Sequence, residues 1–191
     1  FRQKYPKVNL SLKVTNHKTL LQLLEQNETD IVLMGKPPEN CDLKYEFLLD
    51  NPLVIIAPPN HPLQNQKNIS LETLKDHTFL MREQGSGTRT SVEKFFAERG
   101  ISVSASMEMN NNSAIKLGVE AGLGLGIVSS HTIDAEIESG RLMVLDVDSF
   151  PLMRKWYMVR REGKRLSAMG CAFEEFIRAE KQRFVRTAQN Q

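Results

Sequence analysis

Between Leu53 and Asp148 short apolar runs alternate with amphipathic stretches, and three of those stretches end at Gly100, Gly122 and Gly140. Apolar residues at helical spacing that stop at a glycine mark helices, and the runs between them are short enough for buried strands. The strands expected here are Leu53–Ala57, Thr78–Met81, Ala105–Met109, Leu125–Val128 and Leu142–Val147. The helices expected between them are a short one near Leu71–Lys75, then Thr88–Arg99, Ala114–Ala121 capped by Ser113, and His131–Ser139. This middle segment holds a complete set of alternating elements and so predicts a self-sufficient α/β lobe.

The flanks hold an incomplete set. Val8, Leu10, Leu12 and Val14 alternate with polar residues as a half-covered strand would, and Asn16 can cap a helix over His17–Asn27 with a Leu20, Leu21, Leu23, Leu24 stripe. Asp30–Met34 reads as a buried strand, so strand, helix and strand predict a parallel βαβ unit. After Phe150-Pro151 come a strand over Lys155–Arg160 and a long helix that Ser167 can cap. If the chain leaves a first lobe near Leu49–Leu53 and returns near Val147–Met153, this last strand and helix complete that lobe. The expected division is 1–51 with 152–191 as lobe I and 52–151 as lobe II, joined by two crossings, with the cleft between them the default ligand site. The opening Phe1-Arg2-Gln3-Lys4-Tyr5-Pro6 reads as the last turn of a helix halted by proline, which predicts that a preceding segment has been removed.

Composition excludes several classes. A net charge of +2 from 25 basic and 23 acidic residues gives no large uniform field for nucleic acid. No apolar run approaches the roughly 20 residues that span a bilayer, and no export signal opens the chain, so a cytoplasmic protein without membrane contact is expected. Cys41 and Cys171 stand in no metal-binding or redox spacing, which predicts reduced thiols and no metal. Gly122-Leu123-Gly124-Leu125-Gly126 precedes a strand, whereas a dinucleotide loop follows one, and no Walker, GxSxG or HExxH pattern is present. No cofactor is expected. His17, His61, His77 and His131 read as surface or capping residues, and Arg160, Arg161, Lys164 and Arg165 as a solvated loop with DNA or partner contact the alternative.

The segment Leu80-Met81-Arg82-Glu83-Gln84-Gly85-Ser86-Gly87-Thr88-Arg89 is the candidate site. It places small residues, two hydroxyls and an arginine at a strand-to-helix junction, where unpaired amides and a guanidinium suit a bound anion. Ser86, Gly87, Thr88 and Arg89 are the expected ligands of that anion. Arg82 and Glu83 either pair with each other or reach the crossing. On the other lobe Asn16 and His17 occupy the matching turn, with Asn16 also a plain cap, and Lys36 follows the next strand end. Asn110, Asn111, Asn112 and Ser113 form a third polar turn, of which Asn112 and Ser113 are the cleft candidates.

The chain resembles the regulatory, effector-binding domain of LysR-type transcriptional regulators, most of all the CbbR-type branch that controls RuBisCO and carbon-fixation operons. The resemblance rests on Phe1 to Val8, Asp30 to Pro38, Ala57-Pro58-Pro59-Asn60-His61-Pro62-Leu63, Arg82 to Arg89 and Ala121 to Gly126, taken in that order. It implies two Rossmann-like lobes of the type-2 periplasmic-binding-protein-like fold that clamp a small anionic metabolite, and no enzymatic activity. It also implies that the winged helix-turn-helix, through which alone DNA would be bound, and the first strand of the regulatory domain are absent from this chain. Homodimers through regulatory domains, tetramers of the full-length protein, and sugar phosphates, phosphoglycolate or 2-oxoacids as effectors are further implications. A transporter's solute-binding protein, or a transferase on the same two-lobed fold, is the alternative.

Overall fold

The computed structural model describes the backbone of residues 1–39, 41–102 and 104–189, and their side chains except for 104–106 and 182–189. The chain divides into two compact units, one formed by 1–50 and 155–191 and the other by the continuous segment 51–154.

The continuous unit is built on a five-stranded sheet. Its strands are β3 (Leu53–Ala57), β4 (Thr78–Arg82), β5 (Ser104–Met109), β6 (Leu125–Ser129) and β7 (Met143–Val144), in the order β5-β4-β6-β3-β7. β4 runs parallel to β5 and β6, while β3 is antiparallel to β6 and β7. Helices α2 (Gly87–Ala97), α3 (Asn112–Glu120) and α4 (Asp134–Glu138) complete it, with a short 3₁₀ turn at Thr73–Asp76. Successive strand residues face opposite sides, and both sides are covered here. Phe79 and Met81 join Leu53, Ile55, Val92, Phe95 and Phe96 in one core, whereas Leu80 joins Ile56, Ile115 and Val119 in the other. Each such fully buried apolar side chain contributes roughly 1.5–3 kcal/mol, so the uninterrupted apolar runs of β3 and β6 are what this sheet needs.

The discontinuous unit has a three-stranded antiparallel sheet, β1 (Val32–Met34), β8 (Lys155–Arg161) and β2 (Leu43–Asp50), in that order. Helix α1 (His17–Glu25) supplies Leu24 to a core with Val32, Met34 and Val159. Helix α5 (Ala168–Gln189) supplies Ile177 to a second core with Leu48 and Met158. The expected caps form: Thr19 N–H donates to Asn16 Oδ1 at 3.0 Å and Gly170 N–H to Ser167 Oγ at 3.1 Å.

Several expectations are corrected. Val8–Val14 is not a strand; Leu12 and Val14 are 84% and 87% exposed, and no described residue pairs with this segment. Alternation says which side chains share a face, but a strand exists only where its N–H and C=O groups find a ladder. With that strand absent there is no parallel βαβ unit, and β1 pairs with β8, which runs the opposite way. β2 was not anticipated, although Leu43, Tyr45 and Phe47 alternate with Lys44 and Glu46. Asn111, not Ser113, caps α3, its Oδ1 accepting from Ala114 N–H at 2.8 Å. The stretch expected as one helix from His131 is a 3₁₀ turn, Ser130–Thr132, followed by α4. Only Met143–Val144 of Leu142–Val147 joins the sheet, while Val147 bridges to Ile69.

Candidate functional site

The carboxyl end of β4 leads through a turn into α2, and the left-handed conformation of Gly85, φ 84°, makes that turn possible. Ser86 follows as the N-cap and is buried at 2% exposure, yet its side chain accepts no bond from the helix. The first-turn N–H groups of a helix have no acceptor within the helix, so this terminus carries a partial positive charge. The next turn is held by side chains that reach back: Thr90 Oγ1–H donates to Ser86 C=O at 3.2 Å and Ser91 Oγ–H to Gly87 C=O at 3.0 Å.

The arginines at this junction differ sharply in what surrounds them. Arg82 is clamped by its neighbour, with Nε to Glu83 Oε2 at 2.8 Å and Nη2 to Glu83 Oε1 at 3.0 Å, while Nη1 donates to Asn112 Oδ1 at 3.0 Å. Of the two partners left open for Arg82 and Glu83, each has the other. Arg89 donates from Nε to Glu93 Oε1 at 2.7 Å and from Nη1 to Glu108 Oε2 at 2.5 Å and Arg82 C=O at 3.0 Å. Its hydrogen bond to Glu93, and then the one to Glu108, holds its pKa above the ordinary arginine value. Its Nε and Nη1 donors are therefore engaged by the protein's own acceptors, two of them carboxylates.

Arg154 is the opposite case. This half-buried residue sits on the segment returning from the sheet to the other unit, and its Nη1 donates to Thr88 Oγ1 at 3.2 Å. Among the described residues no carboxylate pairs with it. Burial alone lowers its pKa, with nothing opposing, and an arginine stays charged regardless. Sequence patterns missed Arg154 because its contact spans 66 residues. The only hint was a cation placed where the chain crosses between lobes.

The structure thus brings Arg82, Ser86, Gly87, Thr88, Arg89, Asn112 and Ser113 to the ends of β4 and β5 and the starts of α2 and α3. Asn16, His17 and Lys36 belong to the discontinuous unit. Asn16 caps α1, His17 is the first residue of that helix, and Lys36 Nζ donates to Glu39 Oε1 at 2.6 Å in an exposed pair, raising the lysine pKa and lowering the glutamate's.

At the amino end of β4 lies a cavity of about 310 Å³ lined by Pro58, His61, Asp76, His77 and the Gly122–Leu125 loop. The two imidazoles are 5.2 Å apart between ring centroids. Burial, and then His77, lowers the His61 pKa. Among the described residues no group of three or more His, Cys, Asp or Glu is placed to hold a metal ion, and no helix is long and apolar enough to cross a membrane.

Comparison with known proteins bears on all of this. The family model described as LysR substrate binding domain matches residues 1–182. The "RuBisCO operon transcriptional regulator" of Allochromatium vinosum is 51% identical over 94% of this chain and 60% of its own length. The "HTH-type transcriptional activator CmpR" of Synechocystis sp. is 42% identical over 93% of this chain and 58% of its own. The chain therefore spans about three-fifths of the length of these curated relatives. Among solved structures, the Synechocystis CcmR regulatory domain in complex with 2-PG superposes with a TM-score of 0.89 at 40% identity, over 94% of this chain and 86% of that one. The effector-binding domain of QuiR in complex with shikimate gives 0.82 at 19% identity, over 95% and 85%, a likeness of fold alone. The fold is the type-2 periplasmic-binding-protein-like one that the family resemblance implies.

Proposed function

We propose that this chain, which belongs to the LysR substrate-binding domain family, senses a small anionic metabolite whose phosphate or carboxylate group is received by Arg154, Thr88 and the amino terminus of α2. The observation behind this reading is the Arg154 guanidinium, half-buried, charged, without a carboxylate, and bonded to a hydroxyl in the first turn of a helix. A buried cation of this kind is costly unless an anion meets it, and a helix terminus adds its own attraction for negative charge.

The atoms suit the task. Thr88 Oγ accepts from Arg154 Nη1, which leaves the hydroxyl proton free to donate to a ligand oxygen. Guanidinium N–H groups match two oxygens of one phosphate or carboxylate, so a single fork both binds and orients the group. The amides of Gly87 and Thr88 supply further donors without adding charge. Arg89 and Arg82 hold the frame: one ties the start of α2 to β5 through Glu108, the other ties the end of β4 to α3 through Asn112.

The wider role also belongs to this proposal. In a longer protein with a DNA-binding segment, occupancy of the site would regulate transcription in the cytoplasm, in homo-oligomers, of carbon-fixation genes among others. The domain binds its metabolite and transforms nothing. Regulation requires that the metabolite favour one arrangement of the protein over another, and a coupling of about 1–3 kcal/mol is enough to change promoter occupancy. That CcmR was solved with 2-PG, which carries a phosphate and a carboxylate, supports 2-phosphoglycolate as the first probe. Titration calorimetry of the wild-type protein and Arg154→Ala tests the reading. A loss of at least tenfold in affinity is expected for the variant; affinity within twofold overturns the assignment.

A further inference from the structure

We infer that Asn51 and Ser129 form a buried latch that positions Arg154, so that they set the affinity of the anion site without touching the anion. This inference rests on the anion-binding reading of Arg154.

Ser129 Oγ–H donates to Asn51 Oδ1 at 2.5 Å, and the two residues are 5% and 2% exposed. Asn51 N–H in turn donates to Arg154 C=O at 2.8 Å. Next to it the outgoing and returning segments are stitched by Leu53 N–H to Leu152 C=O and Leu152 N–H to Leu53 C=O, both at 2.9 Å. Ser129 is anchored from its own side: Ser130 N–H donates to Pro52 C=O at 2.9 Å, and Thr132 Oγ1–H to Ser129 C=O at 2.7 Å. The backbone of Arg154 is therefore fixed through a donor residue whose own side chain is fixed by one buried hydroxyl.

A core of this kind has no need of such a pair for stability alone, because two apolar groups of similar shape serve nearly as well. What a buried hydroxyl–amide pair adds is direction. It holds the residue beside Arg154 in one rotamer and one register, and a guanidinium that must meet two oxygens at once is sensitive to displacements well under an ångström.

The test is a double-mutant cycle read by calorimetry with 2-phosphoglycolate, using the wild type, Ser129→Ala, Arg154→Ala and the double variant. Ser129→Ala should weaken binding about fivefold or more, and Ser129→Thr, which keeps the hydroxyl, should return it to within twofold of wild type. In the Arg154→Ala background, Ser129→Ala should change the remaining affinity less than twofold, because the latch acts only through Arg154. The salt dependence of binding should also flatten in Ser129→Ala toward that of Arg154→Ala. Should Ser129→Ala not fold, Ser129→Cys supplies a weaker donor of similar size and the same comparisons apply. Unchanged affinity in the Ser129 variants while Arg154→Ala binds poorly, or an equal loss in both backgrounds, overturns the latch and leaves the anion site standing. Unchanged affinity in Arg154→Ala overturns the anion site, and the latch with it.

Discussion

Arg154 Nη1 donates to Thr88 Oγ1 at 3.2 Å across 66 residues of chain, and this bond joins the segment returning from the sheet to the first turn of α2. Arg89, one residue beyond Thr88, looks the better anion ligand in sequence. It is held by Glu93 and Glu108 instead. Arg89→Ala should therefore leave 2-phosphoglycolate affinity within about threefold of wild type while costing about 1 kcal/mol of stability, since its carboxylate partners are half exposed. Calorimetric binding and urea denaturation of the same variant separate the two effects.

His61 should make the protein sensitive to mild acid. Its pKa is lowered from 6.5 by burial and by His77, so as pH falls through 6.5 the unfolded chain takes up the proton first. Stability then decreases with falling pH, and levels off below the folded-state pKa. In thermal unfolding between pH 7 and 5.5, His61→Gln should show a shallower fall in Tm than wild type. Parallel curves would show that His61 contributes nothing to the acid sensitivity.

Lys116 and Glu136 give the same sign at lower pH. Lys116 Nζ donates to Glu136 Oε1 at 2.6 Å and to Thr132 C=O at 2.7 Å, with both side chains largely covered. The bond from Lys116 lowers the Glu136 pKa, so this stabilisation is complete above 4.5 and is lost as pH falls toward the folded-state value. Lys116→Met should cost about 1–3 kcal/mol at pH 7 in urea denaturation, and the difference from wild type should shrink below pH 4.5.

Gly126 is a packing requirement. A Cβ there would stand 2.7 Å from Ile115 Cγ2 and 2.9 Å from Val119 Cγ2, so the glycine lets α3 lie directly on β6. Gly126→Ala should destabilise by about 1–3 kcal/mol, measured by chemical denaturation. It should leave 2-phosphoglycolate binding at saturating fold unchanged.

The continuous unit was the more legible in sequence because its signals are local. Phe79 to Met81, Val92 to Phe96 and Leu125 to Val128 announce their elements by period alone, and the glycines that end the helices do stand in left-handed conformation at φ 65°, 77° and 67° for Gly100, Gly122 and Gly140. The three-stranded sheet was not legible in the same way. The register of β2 against β8 shifts between Phe47 and Leu49, and the resulting run Phe47-Leu48-Leu49 hides the alternation before it. At the site, the turn and its donors could be read from Gly85 to Arg89. Which donors the protein itself consumes depended on Glu108 and Asn112, 19 and 30 residues from the arginines they hold.

The pairing of chain segments around 51 and 154 also bears on how the molecule folds. Asp50 and Lys155 are ladder partners in the three-stranded sheet, and the next residues inward, Asn51 and Arg154, are joined by a backbone bond that belongs to the continuous unit. Closing β2 onto β8 directly would require an open loop of the whole intervening segment, with its entropic cost. Once 51–154 has folded, that loop is already closed. The inserted unit thus serves as a template for its host, and any variant that slows it should delay the host sheet equally.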